Sequence, residues 1–184
     1  MAGSARRDSV NCKLLHCAVQ LAREAGAEVT EVDLAEYPMP LYDGDWEDAN
    51  GLPEAAKRLK ALMIEHDGFL IASPEYNSSI TPLLKNTIDW CSRAESDSEP
   101  VLQAYDGKTA ALIAASPGNL GGIRALRHLR EILGNIGVYV VPAQYALSQA
   151  YQAFDEQGGL TDPRAGKALR RVVEQLVRLR VGGE

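Results

Sequence analysis

Three cysteines and three histidines in 184 residues leave little from which to build a metal centre or a disulfide framework. Cys12 and Cys17 lie five apart in a helical stretch, on different faces, and Cys91 stands alone. Buried or incidental thiols are the favoured reading over a redox pair. His16, His66 and His128 have no partners at ligand spacing, which argues against zinc or iron. No run approaches the ~18 apolar residues of a membrane span, and the start carries no secretory hydrophobic region. Both absences point to the cytoplasm and away from membranes. A net charge of −6 argues against nucleic acid as a partner. There are no internal repeats, linkers or low-complexity tracts, and no acid–base dyad or nucleophile triad is spelled out.

What remains is ordinary globular composition, 46% hydrophobic and 24% charged, over a length that suits one domain spanning 1–184. Strand and helix patterns alternate. Leu14, Leu15, Ala18, Val19 and Ala22 predict a helix over Cys12–Ala25 that Gly26 stops. Glu28–Leu34 reads as a charged edge strand. Ala35–Leu52, with Pro38, Pro40, Gly44 and Gly51, reads as a long loop in which Tyr42 or Trp46 could cover a ligand or a subunit neighbour, plain surface packing being the favoured reading. Pro53–His66 reads as a helix opened by its proline. Phe69–Ala72 and Lys108–Ala115 are short uninterrupted apolar runs, the mark of parallel strands buried on both faces. Val138–Pro142 is the last strand, Phe154–Thr161 a turn and Asp162–Arg180 a closing amphipathic helix. The expected fold class is α/β, a doubly wound parallel sheet in three layers.

Chemistry concentrates in three loops. Phe69–Ala72 ends at Ser73-Pro74, and Glu75, Tyr76 and Asn77 follow before a helix carrying Leu83, Leu84, Thr87, Ile88 and Cys91. In open α/β sheets, ligands bind at such strand ends. Lys108–Ala115 runs into Ser116-Pro117-Gly118-Asn119-Leu120-Gly121-Gly122, a turn whose glycines let backbone approach a flat ligand or a phosphate. A tight turn that happens to be glycine-rich fits those residues as well. The amino-terminal Gly3-Ser4-x-Arg6-x-x-Ser9-x-Asn11 suits a phosphate, with small residues, hydroxyls, a helix start and a planar cation. An ordinary N-cap with two solvated arginines suits it equally.

Ser73-Pro74-Glu75-Tyr76-Asn77, followed by Leu84-Lys85-Asn86 and Ile88-Asp89-Trp90, resembles the signature of the NAD(P)H-dependent FMN reductase family. The amino-terminal loop resembles that family's phosphate loop, and Gly121-Gly122-x-Arg124-Ala125 with His128-Leu129-Arg130 resembles a further block. The resemblance covers the chain from Gly3 onward. It implies a flavodoxin-like fold that reduces quinones, free flavin, azo compounds or metal oxyanions with NADPH or NADH, through FMN. It also implies that Ser4, Arg6, Ser9 and Asn11 hold the FMN phosphate. Pro74, Glu75, Tyr76 and Asn77 then meet the isoalloxazine, with Ser116, Gly118, Gly121 and Gly122 along its other edge. No catalytic side chain is required, because the redox chemistry belongs to flavin N5. Arg124 is placed either at a nicotinamide phosphate or on the plain surface. A homodimer or homotetramer is implied, with Ile88 and Trp90 at the subunit contact or, alternatively, in the core. The rival reading is a flavodoxin-like electron carrier or regulatory FMN module without nicotinamide turnover.

In such a fold the phosphate loop follows an interior strand, yet only Met1 and Ala2 precede it here. Burying about five apolar side chains at ~2 kcal/mol each contributes on the order of 10 kcal/mol, comparable with the ~5–15 kcal/mol stability of a domain. The expectation is therefore that the native product begins several residues upstream of Met1, and that this chain without the strand is otherwise an inactive fragment.

Overall fold

The computed structural model of the chain describes residues 1–179. Among these residues three parallel strands form the sheet, β1 (Gly68–Ala72), β2 (Thr109–Ala115) and β3 (Tyr139–Leu147), in that spatial order. All seven residues of β2 are buried, as a central strand covered on both faces requires. Its side chains alternate between two cores. Ala110, Leu112 and Ala114 join a cluster with Leu59 and Met63, Leu84 and Ile88, and Leu126, Leu129 and Leu133. Ala111, Ile113 and Ala115 join one with Leu14, Leu15, Ala18 and Val19 and with Leu169, Val172 and Val173. Helices α1 (Val10–Glu24) and α6 (Pro163–Arg178) therefore cover one face. The other face is covered by α3 (Glu54–Ile64), α4 (Pro82–Cys91) and α5 (Ile123–Asn135). The doubly wound three-layer arrangement expected from the sequence is present.

Helix boundaries follow local chemistry. Ser9 caps α1, and Gly26, at φ +89°, takes the left-handed conformation that ends it. Thr81 caps α4 and Asp162 caps α6, each followed by a proline whose missing N–H would be unpaired there anyway. Pro53 stands at the cap position of α3, one residue before the helix. Arg180, the last residue expected in the closing helix, lies outside the described residues.

Three expectations change. The last strand runs well past Pro142 to Leu147. Pro142 is tolerated because β3 is bulged there: Val140 and Gln144 pair with Ala110 and Leu112, so four residues of β3 span what two of β2 span. Arg130 donates to the freed carbonyls of Val140 (3.1 Å) and Val141 (2.8 Å), and the Ala143 N–H donates to Gln175 Oε1 (3.0 Å). The segment expected as a long loop contains a helical turn at Leu34–Glu36 and a short helix, α2 (Gly44–Asn50), capped by Asp43. Within it Trp46 and Tyr42 pack edge-on against Trp90. Trp90 is fully buried with its indole N–H on Pro40 O (2.7 Å), and Ile88 is buried too. These two residues belong to the core of one chain, which removes them as a subunit contact.

The third change concerns Glu28–Leu34, which forms no ladder among the described residues. Its side chains nevertheless alternate. Val29 packs with the α1/α6 core and Glu31 pairs with Arg23 of α1 (2.9 Å), whereas Val32 packs with the α3–α5 core and Thr30 meets His66 Nε2 (2.8 Å). The segment is laid out as a strand without a ladder partner among the described residues. Met1 to Gly3 reaches only the last residues of β1: Met1 N donates to Leu70 O (2.9 Å), Ala72 N to Met1 O (3.1 Å) and Gly3 N to Ala72 O (2.8 Å).

Candidate active site

At the carboxyl ends of the strands lie three loops, residues 3–9, 73–81 and 116–122, with a fourth segment at 148–150. The first loop is pinned from two sides. Thr81 Oγ1 donates to Gly3 O (2.7 Å) while also capping α4. Asn11 Nδ2 donates to Ala115 O and Asn11 Oδ1 accepts from Ala115 N, both at 2.8 Å and both buried. The second and third loops are joined by Glu75. The cap position of α5 is Gly122, which has no side chain to cap the helix. Glu75 supplies the cap from the neighbouring loop: Oε2 accepts from Arg124 N (3.1 Å) and Ala125 N (3.4 Å), and Oε1 accepts from Arg124 Nε (2.7 Å). The carboxylate is nearly buried and also pairs with the terminal nitrogen of Arg124. The third and fourth loops are tied by Gln149 N to Gly118 O (3.3 Å) and Ala150 N to Ser116 O (3.1 Å).

These bonds sort the expected site residues. Asn11 has spent its side-chain amide on β2, so only its backbone N–H faces the loop. Ser9 Oγ accepts from Cys12 N (3.4 Å) and Ser4 Oγ from Arg6 N (3.3 Å), so both hydroxyls shape the loop while their hydrogens remain to donate. Arg6 is exposed. The backbone N–H groups of Ala5, Arg7, Asp8, Val10 and Asn11 bond to no protein group among the described residues. A row of free amides at the start of α1 is a cradle for an anion.

In the second loop Pro74 is buried and Tyr76 is half exposed. Tyr76 and Ser79 exchange backbone bonds (2.9 and 3.0 Å) around Asn77 and Ser78, whose φ values of 50° and 69° define a tight primed turn. Asn tolerates that conformation better than most residues, so turn geometry accounts for Asn77. In the third loop Ser116 Oγ accepts from Gly118 N (3.2 Å). A side chain at Gly121 would lie 2.7 Å from the Ala146 backbone, and one at Gly122 would lie 2.9 Å from Ala114 Cβ. Both glycines have positive φ, so close packing of this turn against β3 and β2 demands them. The N–H groups of Glu75, Asn77, Asn119 and Leu120 make no bond to the protein among the described residues. Thr81 and the backbone of Gln149, which fasten the loops, stand outside the motifs that the sequence singles out. The dipeptide Thr81-Pro82, a cap followed by a first-turn proline, is the signal that would have found the first.

The three thiols are free. Cys91 is buried and burial pushes it up to about 12, while Cys12 and Cys17 contact Ser4 O and Gly158 O separately.

The model of the NADPH-dependent FMN reductase family matches residues 1–152. This chain belongs to that family. It is 36% identical over 177 residues to an NAD(P)H-dependent FMN reductase of Pseudomonas aeruginosa, covering 96% of this chain and 90% of the relative. It is 34% identical over 178 residues to an NAD(P)H:quinone oxidoreductase of Solanum tuberosum, covering 94% and 87%. Among solved structures, the flavoenzyme NAD(P)H:(acceptor) oxidoreductase FerB of Paracoccus denitrificans superposes with a TM-score of 0.81 at 32% identity, covering 96% of this chain and 92% of that one. Family membership makes the fold flavodoxin-like and the protein an oxidoreductase. No helix among the described residues is long and apolar enough to cross a membrane.

Proposed function

We propose that the four loops form an FMN site and that the protein carries reducing equivalents from NAD(P)H to a quinone. The observation that carries the reading is the presence of unpaired backbone amides on three loops at the strand ends, with a permanently charged Arg6 on the first of them. The residues fit the cofactor. The phosphate goes to the amides of Ala5, Arg7, Asp8, Val10 and Asn11, with the hydroxyls of Ser4 and Ser9 donating and Arg6 neutralising charge. The Pro74–Asn77 and Ser116–Gly122 loops would hold the isoalloxazine, with the backbone N–H groups of Glu75, Asn77, Asn119 and Leu120 available to donate to its polar edge. Tyr76, half exposed, offers an aromatic face beside it.

Bound there, FMN would supply two-electron chemistry with a nicotinamide and electron delivery to the acceptor. The protein's part is to orient and desolvate. Glu75, Gly121 and Gly122 hold the second and third loops at fixed spacing. Exposed Leu120 and Ile123 leave apolar surface open for a second, flat reactant or a second subunit. The acceptor class follows the relatives named as quinone reductases, and cytoplasmic residence fits such an activity.

The test is FMN titration by fluorescence quenching, followed by NADPH and a benzoquinone. Saturable flavin binding with NADPH oxidation dependent on the quinone is the expected result. Flavin binding without NADPH oxidation would assign an electron carrier instead, and absence of binding would remove the site altogether.

A further inference from the structure

Beside the second loop, the turn at Asn77 and Ser78 and the first turns of α5 border a cavity of about 250 Å³, lined by Ser78, Arg124, Arg127, His128 and Glu131. At ~30 Å³ per water it has room for roughly eight solvent molecules, which suits a phosphate group and part of its sugar rather than a whole cofactor. Two arginines and a histidine face one carboxylate there, in a chain whose 25 acidic residues outnumber its 19 lysines and arginines. A concave cationic site on an acidic protein selects anions from solution.

The walls of this cavity are held by the same loops that flank the flavin site. Glu75 fixes Arg124 at the start of α5 (2.7 Å), and its carboxylate balances that guanidinium's charge. Ser79 exchanges backbone bonds with Tyr76 across the turn, and its hydroxyl meets His128 Nδ1 at 2.9 Å. That contact orients the imidazole and leaves Nε2 without a partner among the described residues. Arg127 differs from both neighbours. Among the described residues it makes no ion pair, although Glu131 lies four residues on. A cation placed ahead of a carboxylate is the weaker order for such a pair on a helix. Ser78 adds a hydroxyl from the turn.

We propose that Arg127 and His128, with the Ser78 hydroxyl, take the phosphate ester on the adenosine ribose of the reductant, and so select NADPH over NADH. The inference rests on the flavin site proposed above. A phosphate monoester carries close to two negative charges at neutral pH and presents three acceptor oxygens. The planar guanidinium of Arg127 engages two of them at once, while imidazole and hydroxyl each supply one donor. A carboxylate beside the cations suits a sugar phosphate, because Glu131 can accept from a neighbouring ribose hydroxyl. Reach agrees as well. Arg127 lies five residues beyond Gly122, about 7.5 Å along α5, within the span of a pyrophosphate and two riboses laid out from the ring. The phosphate thus meets Arg127, one turn on from Arg124, whose charge Glu75 already balances. NADH puts a hydroxyl in the same place and leaves Arg127 to water, so it binds more weakly and is not excluded.

The test is calorimetric titration of the FMN-loaded protein with adenosine 2′,5′-bisphosphate and with AMP, which differ only in the phosphate at issue. The bisphosphate is expected to bind about tenfold more tightly than AMP, with the difference shrinking as salt rises. Arg127→Ala is expected to abolish the difference, and Arg127→Lys to keep part of it. In turnover, Arg127→Ala should raise the KM for NADPH relative to that for NADH by a similar factor. Equal affinities for the two nucleotides in the unaltered protein would overturn the inference, as would a preference that survives Arg127→Ala. Flavin absorbance of the same samples separates the two levels. Bound flavin with equal nucleotide affinities removes this inference alone, whereas no bound flavin removes the proposed function and this inference with it.

Discussion

The side chain of Asn11 and the backbone of Ala115 exchange two buried hydrogen bonds of 2.8 Å, closing α1 onto the end of β2. A residue that sequence resemblance assigns to a phosphate thus spends its side chain on a partner 104 positions further along the chain. Replacement by alanine leaves a buried N–H and a buried C=O without partners. The expected cost is about 2–4 kcal/mol of stability. Leucine should do no better, because it restores volume and not polarity. Denaturant unfolding of Asn11→Ala in the flavin-free protein checks this, and an unchanged midpoint would return Asn11 to the phosphate.

How much of this was legible beforehand divides along a physical line. The buried strands β1 and β2, the capped helices and the three loops were readable because each has a local cause: an apolar run, a proline, a glycine. What was not readable depends on partners far away in sequence. Glu28–Val32 has strand-like alternation, but a ladder needs a neighbour that the pattern cannot supply. Pro142 ends a strand by local rule, yet Arg130 and Gln175 satisfy the bulge that admits it. Asn77 and Glu75 sit in a family signature, but turn strain and a distant helix cap explain their side chains. Ile88 and Trp90 were ambiguous between core and interface until α2 appeared and Tyr42 and Trp46 covered Trp90.

Gly121 tests whether the third loop is shaped by packing. Its φ of 63° costs an L-residue about 1 kcal/mol or more, and its would-be Cβ lies 2.7 Å from backbone that cannot swing away. Gly121→Ala is expected to lose at least about 3 kcal/mol and to weaken FMN binding as the 116–122 loop shifts. Gly118 has φ outside the positive region and only Ser116 Oγ near its missing side chain, at 3.6 Å. Gly118→Ala should therefore be near neutral in melting temperature. Similar losses at the two positions would refute the packing account.

The buried amine of Met1 makes stability depend on pH. Its ordinary value is 8.0 and burial holds it near 6 in the folded chain. Between those values the unfolded chain binds a proton that the folded one does not, so stability rises with pH across that window. The contribution is complete above about 8 and lost as pH falls through about 6. The gap corresponds to at most about 3 kcal/mol. Urea midpoints between pH 5.5 and 8.5, on protein whose mass confirms Met1 as the first residue, should show the rise. Acetylating the amine removes the titration, and the acetylated chain should show a flatter curve. Parallel curves for the two proteins would contradict the assignment.

Glu75 and Arg124 separate capping from ion pairing. The carboxylate accepts from two backbone N–H groups at the start of α5 and from the guanidinium of Arg124, which is itself half exposed. A lost helix cap costs about 1–2 kcal/mol, whereas a solvent-screened ion pair is worth about 0–1 kcal/mol. Glu75→Ala removes both and frees the second loop from the third. It is expected to lower the melting temperature and, if the loops grip the flavin ring jointly, to weaken FMN binding by about tenfold, or ~1.4 kcal/mol. Glu75→Gln keeps one oxygen for the Arg124 and Ala125 amides and should recover most of that affinity. Arg124→Ala leaves the cap in place, so flavin affinity should hold while any dependence of KM on the NADPH phosphate changes. Equal flavin losses in Glu75→Ala and Arg124→Ala would mean that the ion pair, and not the cap, sets the loop spacing.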